Sequence, residues 1–381
     1  MQADRRPIRT SRDYFPLLDL LRGLAAFLVV LEHARNYLWV DFRELEKPSQ
    51  AIKAIYFVSH FGHEAVMIFF VLSGCVVGRI AVQRCEQGRW NWRFYLFERM
   101  SRLWIVLLPA LVLTAVIDRS LVAWTASTSF VHSGGFANIQ AMPISGHIGM
   151  TDFAGNLFFL QTIAVPTFGS NGPLWSLANE FWYYLVFPAI WVGIFGTMRL
   201  GARAGHVGFG LVVLWAVGPA IAGAFPIWLL GVGAYLLGRD RDWNPHLRWT
   251  GLGLSTVCTL AALAATRAGR LGVWGSPLIG IGVAAIIVFG MNVQLPLTVQ
   301  KVCSLFSSFS YSLYLVHLPL LTLMVAPFIA DNHACLQPGA IGIEALAVSL
   351  MVAYGGAYGF YFLTERNTGR IRAWLGNKTG L

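Results

Sequence analysis

Charge is scarce in this chain of 381 residues. Asp, Glu, Lys and Arg make up 12% of it, against roughly a quarter in a soluble domain, while 56% is hydrophobic and the mean hydropathy is +0.60. That balance excludes a soluble globular protein. Lysine is rarer still: 24 of the 28 basic residues are Arg, and they lie between apolar stretches instead of forming tracts. The net charge of +10 therefore reads as membrane topology, and nucleic acid is not an expected partner. The five cysteines, Cys75, Cys85, Cys258, Cys303 and Cys335, show no metal-type spacing and imply no disulfide framework. A Gly-rich phosphate loop of Walker type and a His-Glu-x-x-His motif are also missing, which argues against nucleotide hydrolysis and metalloprotease chemistry; no metal is expected. There is no low-complexity tract or obvious repeat, and about 17 residues follow the last apolar segment. The chemistry is therefore expected in the membrane part and its loops.

What the chain does have is a series of long apolar runs. Candidate spans are 17–38, 60–80, 103–123, 173–195, 207–224, 226–238, 249–266, 277–292, 309–330 and 340–364, judged against about 20 residues per crossing; the division at Ala224 to Pro226 is the weakest. The basic N-terminal segment lacks a short apolar core with a small-residue cleavage site, so the first run is read as a retained helix. With the N-terminus in the cytoplasm, 20 basic residues fall inside and 6 outside, Arg22 and Arg35 making up the remainder. The expectation is an all-α polytopic integral membrane protein of about ten transmembrane helices, a single membrane domain over 1–381 with short cytoplasmic tails at 1–16 and 365–381. The longest connection, about 124–172, lies outside and reads as a lid or re-entrant element. The segment VQRCEQGRWNWRFYLFERMSRLW, in which Arg alternates with aromatics, suits a helix lying among lipid headgroups.

Within these runs a few ionisable residues stand where lipid-facing helices carry none. Arg22 and His33 share the first span; eleven steps of about 100° leave them roughly 20° apart around the helix and about 16 Å apart along it. His33 is suited to general-base work at neutral pH. Asp19 lies one turn before Arg22, so simple pairing explains Arg22 but leaves His33 unexplained. Arg99 and Arg102, at the mouth of the third span, share a helix face and suit either phosphate clamping or anchoring to lipid headgroups. Glu180 stands in the first two turns of the fourth span, suited to orienting an imidazole, holding a hydroxylated substrate or forming a structural ion pair. Trp175, just before it, offers an apolar face to a sugar ring. His317 is a second intramembrane imidazole, equally compatible with packing. Ser73, in FFVLSGCVVG, has apolar neighbours and no nucleophile-elbow pattern, so it is read as a helix-packing residue.

Taken in order, LLDLLRGLAAFLVVLEH, FFVLSG, FYLFERMSRLWIVLLP, GPLWSLANEFWYYLVFP and FSYSLYLVHLPL, spread over residues 17 to 320, resemble the membrane-bound acyltransferase 3 family. The resemblance implies transfer of an acyl group, commonly acetyl from acetyl-CoA, to hydroxyls of extracytoplasmic glycans or glycolipids, with some relatives modifying small molecules such as macrolides. It places Arg22 and His33 on the family's Arg, ten residues, His motif and Arg99 with Arg102 on its Arg-x-x-Arg motif. Glu180 falls on the acidic position after Trp-Ser-Leu, where Trp175 and Ser176 stand, and His317 on the histidine of the Tyr-Leu-x-His block. One departure is that Met67 and Ile68 occupy the stretch where the family often has an acid before Phe-Phe, with Glu64 a turn earlier.

The implied arrangement is a stand-alone enzyme of a bacterial inner membrane with acyl-CoA as donor and a glycan or glycolipid as acceptor, embedded among membrane lipids. Arg99 and Arg102 would hold the CoA phosphates, His33 would deprotonate the acceptor or carry the acyl group, Asp19 and Arg22 would shape the inner passage and Glu180 would assist near the outer part. Trp175, Ser176 and His317 are the expected substrate contacts. Acylation of a small cytosolic acceptor, such as a macrolide or a lipid precursor, is the alternative. A transporter or flippase is a further one, but inverted repeats are not detectable.

Overall fold

The computed structural model describes residues 15–124, 144–291, 293–330 and 335–379. Most of the N-terminal tail and the Gly, Ser, Thr and His-rich part of the long connection lie outside the described residues. Those described form fifteen α-helices and no strand. In chain order they are α1 (Pro16–Leu38), α2 (Gln50–Val58), α3 (Gly62–Glu86), α4 (Trp92–Trp124), α5 (Met150–Leu157), α6 (Leu174–Phe195), α7 (Leu200–Ala216) and α8 (Gly218–Ala222). There follow α9 (Phe225–Gly238), α10 (Pro245–Arg267), α11 (Gly275–Gly290), α12 (Leu297–Ser308), α13 (Ser310–Ala330), α14 (Ala340–Leu363) and α15 (Thr368–Thr379). The chain is an all-α polytopic membrane protein: among the described residues six helical segments are long and apolar enough to cross a bilayer, seven if α12 and α13, bent by 52° at their junction, count as one. Helix α1 is not among the six. It carries Asp19, Arg22, Glu32, His33 and Arg35 in one helix, so its place in the membrane depends on partners for those groups.

The apolar runs read from the sequence all become helical, but three boundaries move. The break expected at Ala224 to Pro226 lies at Gly218, whose φ of +81° is costly for residues with a side chain, and 218–238 form one apolar segment. The aromatic and arginine-rich stretch is no separate interfacial helix. Helix α3 ends at Glu86 and α4 starts at Trp92, the turn between them having Gly88 at φ +64° and Arg84 of α3 bound to Glu98 of α4 at 2.6 Å. The 33 residues of α4 measure about 50 Å, well beyond a hydrocarbon core of about 30 Å, so its first turns alone carry the interfacial aromatics. The expected C-terminal tail is largely helix α15, packed against α4.

Helix α3 is the hub, packed against α1, α6, α9 and α11. It comes closest to α9, where a methyl group on Gly74 would run into the Trp228 carbonyl oxygen and one on Gly231 into the Val71 carbonyl oxygen. Small residues at such a crossing allow backbone to meet backbone, which in lipid replaces the missing hydrophobic drive between helices. Helix α1 packs against α3, α12, α13 and α14, and α13 in turn against α4 and α14.

The segment leading into α6 is threaded into this bundle. Ser170 N–H donates to Asp118 Oδ2 of α4 at 2.7 Å, and Asn171 Nδ2–H donates to Thr114 Oγ1 at 3.2 Å and to the Leu315 carbonyl of α13 at 2.8 Å. Gly169, at φ +53°, leaves no room for a side chain beside Asp118. Phe168, Ser170 and Asn171 are fully buried. The loop thereby sets where α6 begins, and with it Trp175, Ser176 and Glu180.

Candidate active site

Two imidazoles from helices remote in sequence meet inside the bundle. His33 Nδ1 of α1 lies 2.9 Å from His317 Nε2 of α13, the rings inclined by 25° with centroids 5.1 Å apart. Their proton positions follow from the surroundings. His317 Nδ1 faces two acceptors, the carbonyls of Leu313 at 3.0 Å and Tyr314 at 2.9 Å, so it carries the proton and donates. A neutral His317 then has a lone pair on Nε2, and the bond to His33 requires the proton on His33 Nδ1. The remaining nitrogen, His33 Nε2, is left as a base. His317 is fully buried, whereas His33 is partly exposed: one ring is braced and the other accessible.

A cavity of about 100 Å³ lies between α1, α3, α4, α6 and α13. Its polar lining includes Arg22, Arg102, Ser176, Glu180, Tyr184 and Tyr314. Tyr314 links it to the histidine pair: its ring centroid lies 5.9 Å from that of His317, its hydroxyl donates to the Pro173 carbonyl at 3.1 Å, and the Ser176 hydroxyl meets it at 2.5 Å. Among the described residues Glu180 is held on one side only, Oε1 accepting from the Tyr184 hydroxyl at 2.7 Å. Arg22 is paired with Asp19 at 3.6 Å, and Asp19 Oδ1 also accepts from the Ser307 hydroxyl at 2.7 Å. Asp19 itself lines a separate, almost wholly apolar groove of about 550 Å³ between α1, α12 and α14.

The structure thus regroups the residues singled out in the sequence. Arg22, Arg102, Ser176 and Glu180 share one cavity, and His33 with His317 form the pair beyond Tyr314. Glu180, expected nearer the outer part, sits with Arg22 because α6 enters through the threaded loop. Arg99 and Arg102 part company: Arg102 lines the cavity, while Arg99 is buried at 7% exposure, has no partner for Nε among the described residues, and has Tyr184 and Tyr95 as electrostatic neighbours. Trp175 points elsewhere, stacked on the exposed His63 ring at 6.2 Å with 15° between planes and edge-on to Phe70 at 6.1 Å. Sequence reasoning passed over Tyr314, Tyr184 and His63. The signal for two of them was present: Tyr314 precedes His317 by three residues and Tyr184 follows Glu180 by four, spacings that share a helix face.

An intramembrane cavity holding two guanidiniums and a carboxylate next to an oriented imidazole pair is equipped for acid–base chemistry on a polar substrate. Comparison with known proteins assigns the class. The model of the family described as an acyltransferase domain, acyltransferase 3, matches residues 15–363, and the chain belongs to that family. Over 188 residues it is 27% identical to the peptidoglycan O-acetyltransferase OatA of Listeria monocytogenes, a match covering 49% of this chain and 25% of that protein. The chain thus spans about a quarter of the length of that curated relative. No solved structure matches.

Proposed function

We propose that this chain is a bacterial inner-membrane O-acyltransferase that moves an acyl group, acetyl in the first instance, from acyl-CoA to a hydroxyl of an extracytoplasmic glycan or glycolipid. The observation that carries the proposal is the His33–His317 pair with its free Nε2. In this reading His33 Nε2 takes the proton from the acceptor hydroxyl as the oxygen attacks the thioester carbonyl. His317 Nε2 accepts from His33 Nδ1–H throughout and steadies the imidazolium that forms. Collapse of the tetrahedral intermediate breaks the carbon–sulfur bond, His33 returns the proton to the departing CoA sulfur, and the ester remains on the acceptor.

Arg22 and Arg102 supply the cationic cavity for the phosphates of the donor, planar forks suited to that recognition, with Asp19 holding Arg22 in place. The donor's arm runs from there past Ser176, Glu180 and Tyr314 to His33. Trp175 and the exposed His63 stacked on it receive the acceptor. Family membership and the similarity to an O-acetyltransferase support the reaction class, and the excess of basic residues on the N-terminal side supports the sidedness.

The deciding experiment compares purified wild type with His33→Ala in detergent or nanodiscs, using acetyl-CoA and following CoA release together with mass spectrometry of surface glycans from cells with and without the gene. Wild type is expected to turn over and His33→Ala to lose at least about 10²-fold while keeping its thermal transition. Near-normal turnover in well-folded His33→Ala protein overturns the mechanism. Acyl esters that appear solely on a small cytosolic acceptor shift the reading to that alternative.

A further inference from the structure

Ser73, a helix-packing residue by sequence, is hydrogen-bonded on two sides. Trp228 Nε1–H of α9 points at Ser73 Oγ at 3.2 Å, and Ser73 Oγ lies 3.4 Å from the Tyr184 hydroxyl, which in turn reaches Glu180 Oε1 at 2.7 Å. Donor and acceptor capacity allows one direction for this chain of contacts. The Glu180 carboxylate accepts the one proton of Tyr184, so the Ser73–Tyr184 contact is left to the Ser73 hydroxyl to donate, while Ser73 Oγ accepts from the indole N–H, which can only donate. The relay starts at a fully buried Trp228, fixed by the close α3–α9 crossing, and ends on one oxygen of a carboxylate in the cavity wall.

The second carboxylate oxygen, Oε2, takes no hydrogen bond among the described residues, and Glu180 lines the cavity together with Arg22, Arg102 and Tyr314. With Oε1 taken by the Tyr184 hydroxyl, Oε2 is the acceptor left open. What it can bind is a neutral group bearing N–H or O–H; a phosphate there would be repelled. We infer that Glu180 Oε2 is a recognition site for a hydrogen-bond donor on an uncharged part of the substrate, and that Tyr184, Ser73 and Trp228 are the positioning residues that aim it. The inference rests on the acyltransferase reading above, under which two groups have this chemistry: an amide N–H of the donor's pantetheine arm and a hydroxyl of the acceptor.

The test is a double-mutant cycle of Tyr184→Phe and Glu180→Gln, with Ser73→Ala as an independent and gentler interruption, on full-length protein of unchanged thermal transition. The measurements are acetyl-CoA affinity by calorimetry and kcat and KM for both substrates. Tyr184→Phe is expected to weaken binding or raise KM for one substrate by about 5–20-fold with kcat within about threefold, and Ser73→Ala by a smaller factor, in line with the loss of one or two hydrogen bonds at about 1 kcal/mol each. In the Glu180→Gln background Tyr184→Phe is expected to add less than twofold, because the two act as a unit. A structural role for Tyr184 would give additive losses and move kcat and stability instead. If the affected constant is that for acetyl-CoA, the donor arm is the ligand; if it is the acceptor KM, the hydroxyl is. Unchanged constants in Tyr184→Phe, or full additivity with Glu180→Gln, overturn the inference while His33-dependent turnover of the wild type keeps the function standing. Wild type that neither binds acetyl-CoA nor shows such turnover brings both down.

Discussion

At the scale of single residues, the site works through which atom of each side chain is left free. His317 gives up Nδ1 to backbone carbonyls and so presents a lone pair to His33; under the proposed mechanism His317 is a positioning residue whose replacement can be graded. His317→Phe removes the acceptor and is expected to lower kcat by about 10–100-fold with little change in KM. His317→Gln retains an oxygen able to accept from His33 Nδ1–H and should recover part of that loss, as read from initial rates over a range of acetyl-CoA concentrations. Equal loss in both variants would mean that packing, and not the hydrogen bond, is what His317 supplies. The two arginines of the Arg-x-x-Arg motif should likewise separate. Arg102→Ala and Arg22→Ala are expected to weaken CoA by about 10-fold or more, the loss of a charge-assisted contact of about 1.5–3 kcal/mol. Arg99→Met, at a buried site behind Tyr184 and outside the cavity lining, should leave CoA affinity within about threefold. Calorimetry with CoA and dephospho-CoA checks both, and the opposite ranking would restore the clamp to Arg99.

At the scale of elements, the crossing of α3 and α9 sets the depth of Trp228 and with it the start of the relay to Glu180. Adding a methyl at Gly231 drives it into the Val71 carbonyl oxygen, backbone against backbone with no side chain to give way. Gly231→Ala is therefore expected to destabilise by about 1–3 kcal/mol or more, seen as a lowered thermal transition in detergent. Gly233, two residues on in the same helix, faces open space, and Gly233→Ala should be neutral or slightly stabilising. Equal transitions in the two variants would refute the close crossing. A second element-level contact joins the chain's C-terminal segment to the site: Glu365 accepts from Ser312 N–H at 3.0 Å and from its hydroxyl at 2.8 Å. A carboxylate at the start of α13 favours the helix dipole. It thereby steadies the helix that carries Tyr314 and His317.

At the scale of the whole molecule, the proposal requires donor and acceptor to approach from opposite faces. In the proposed topology, which the 20 to 6 distribution of basic residues supports, Arg102 and the start of α1 face the cytoplasm, and a rise of about 1.5 Å per residue puts His33 roughly 26 Å from the start of α1, near the far end of a span. In sealed vesicles of known orientation, acetyl-CoA should be consumed from the cytoplasmic side alone, and an impermeant acceptor acylated from the other side alone. Consumption of both from the cytoplasmic face would end the extracytoplasmic reading.

The sequence by itself determined that this is a helical membrane protein, where most of its helices run, and which ionisable residues are out of place in lipid. These are local properties: span length, hydropathy and the position of an Arg or His within a run are read without knowing any neighbour. The Arg22 to His33 spacing and the Glu180 block were legible for the same reason. Partners were not. His33 and His317 are separated by 284 positions, Ser73 and Trp228 by 155, and helices apolar on every side carry no pattern that says which face meets which neighbour. Only the tertiary structure could set Arg102 in the cavity lining and Arg99 behind it, bring Glu180 and Arg22 to one cavity, and turn a serine read as packing into a link from an indole, through Tyr184, to a carboxylate. The physical reason is that direction in a hydrogen bond belongs to the pair, and the pairs here are made by helix packing.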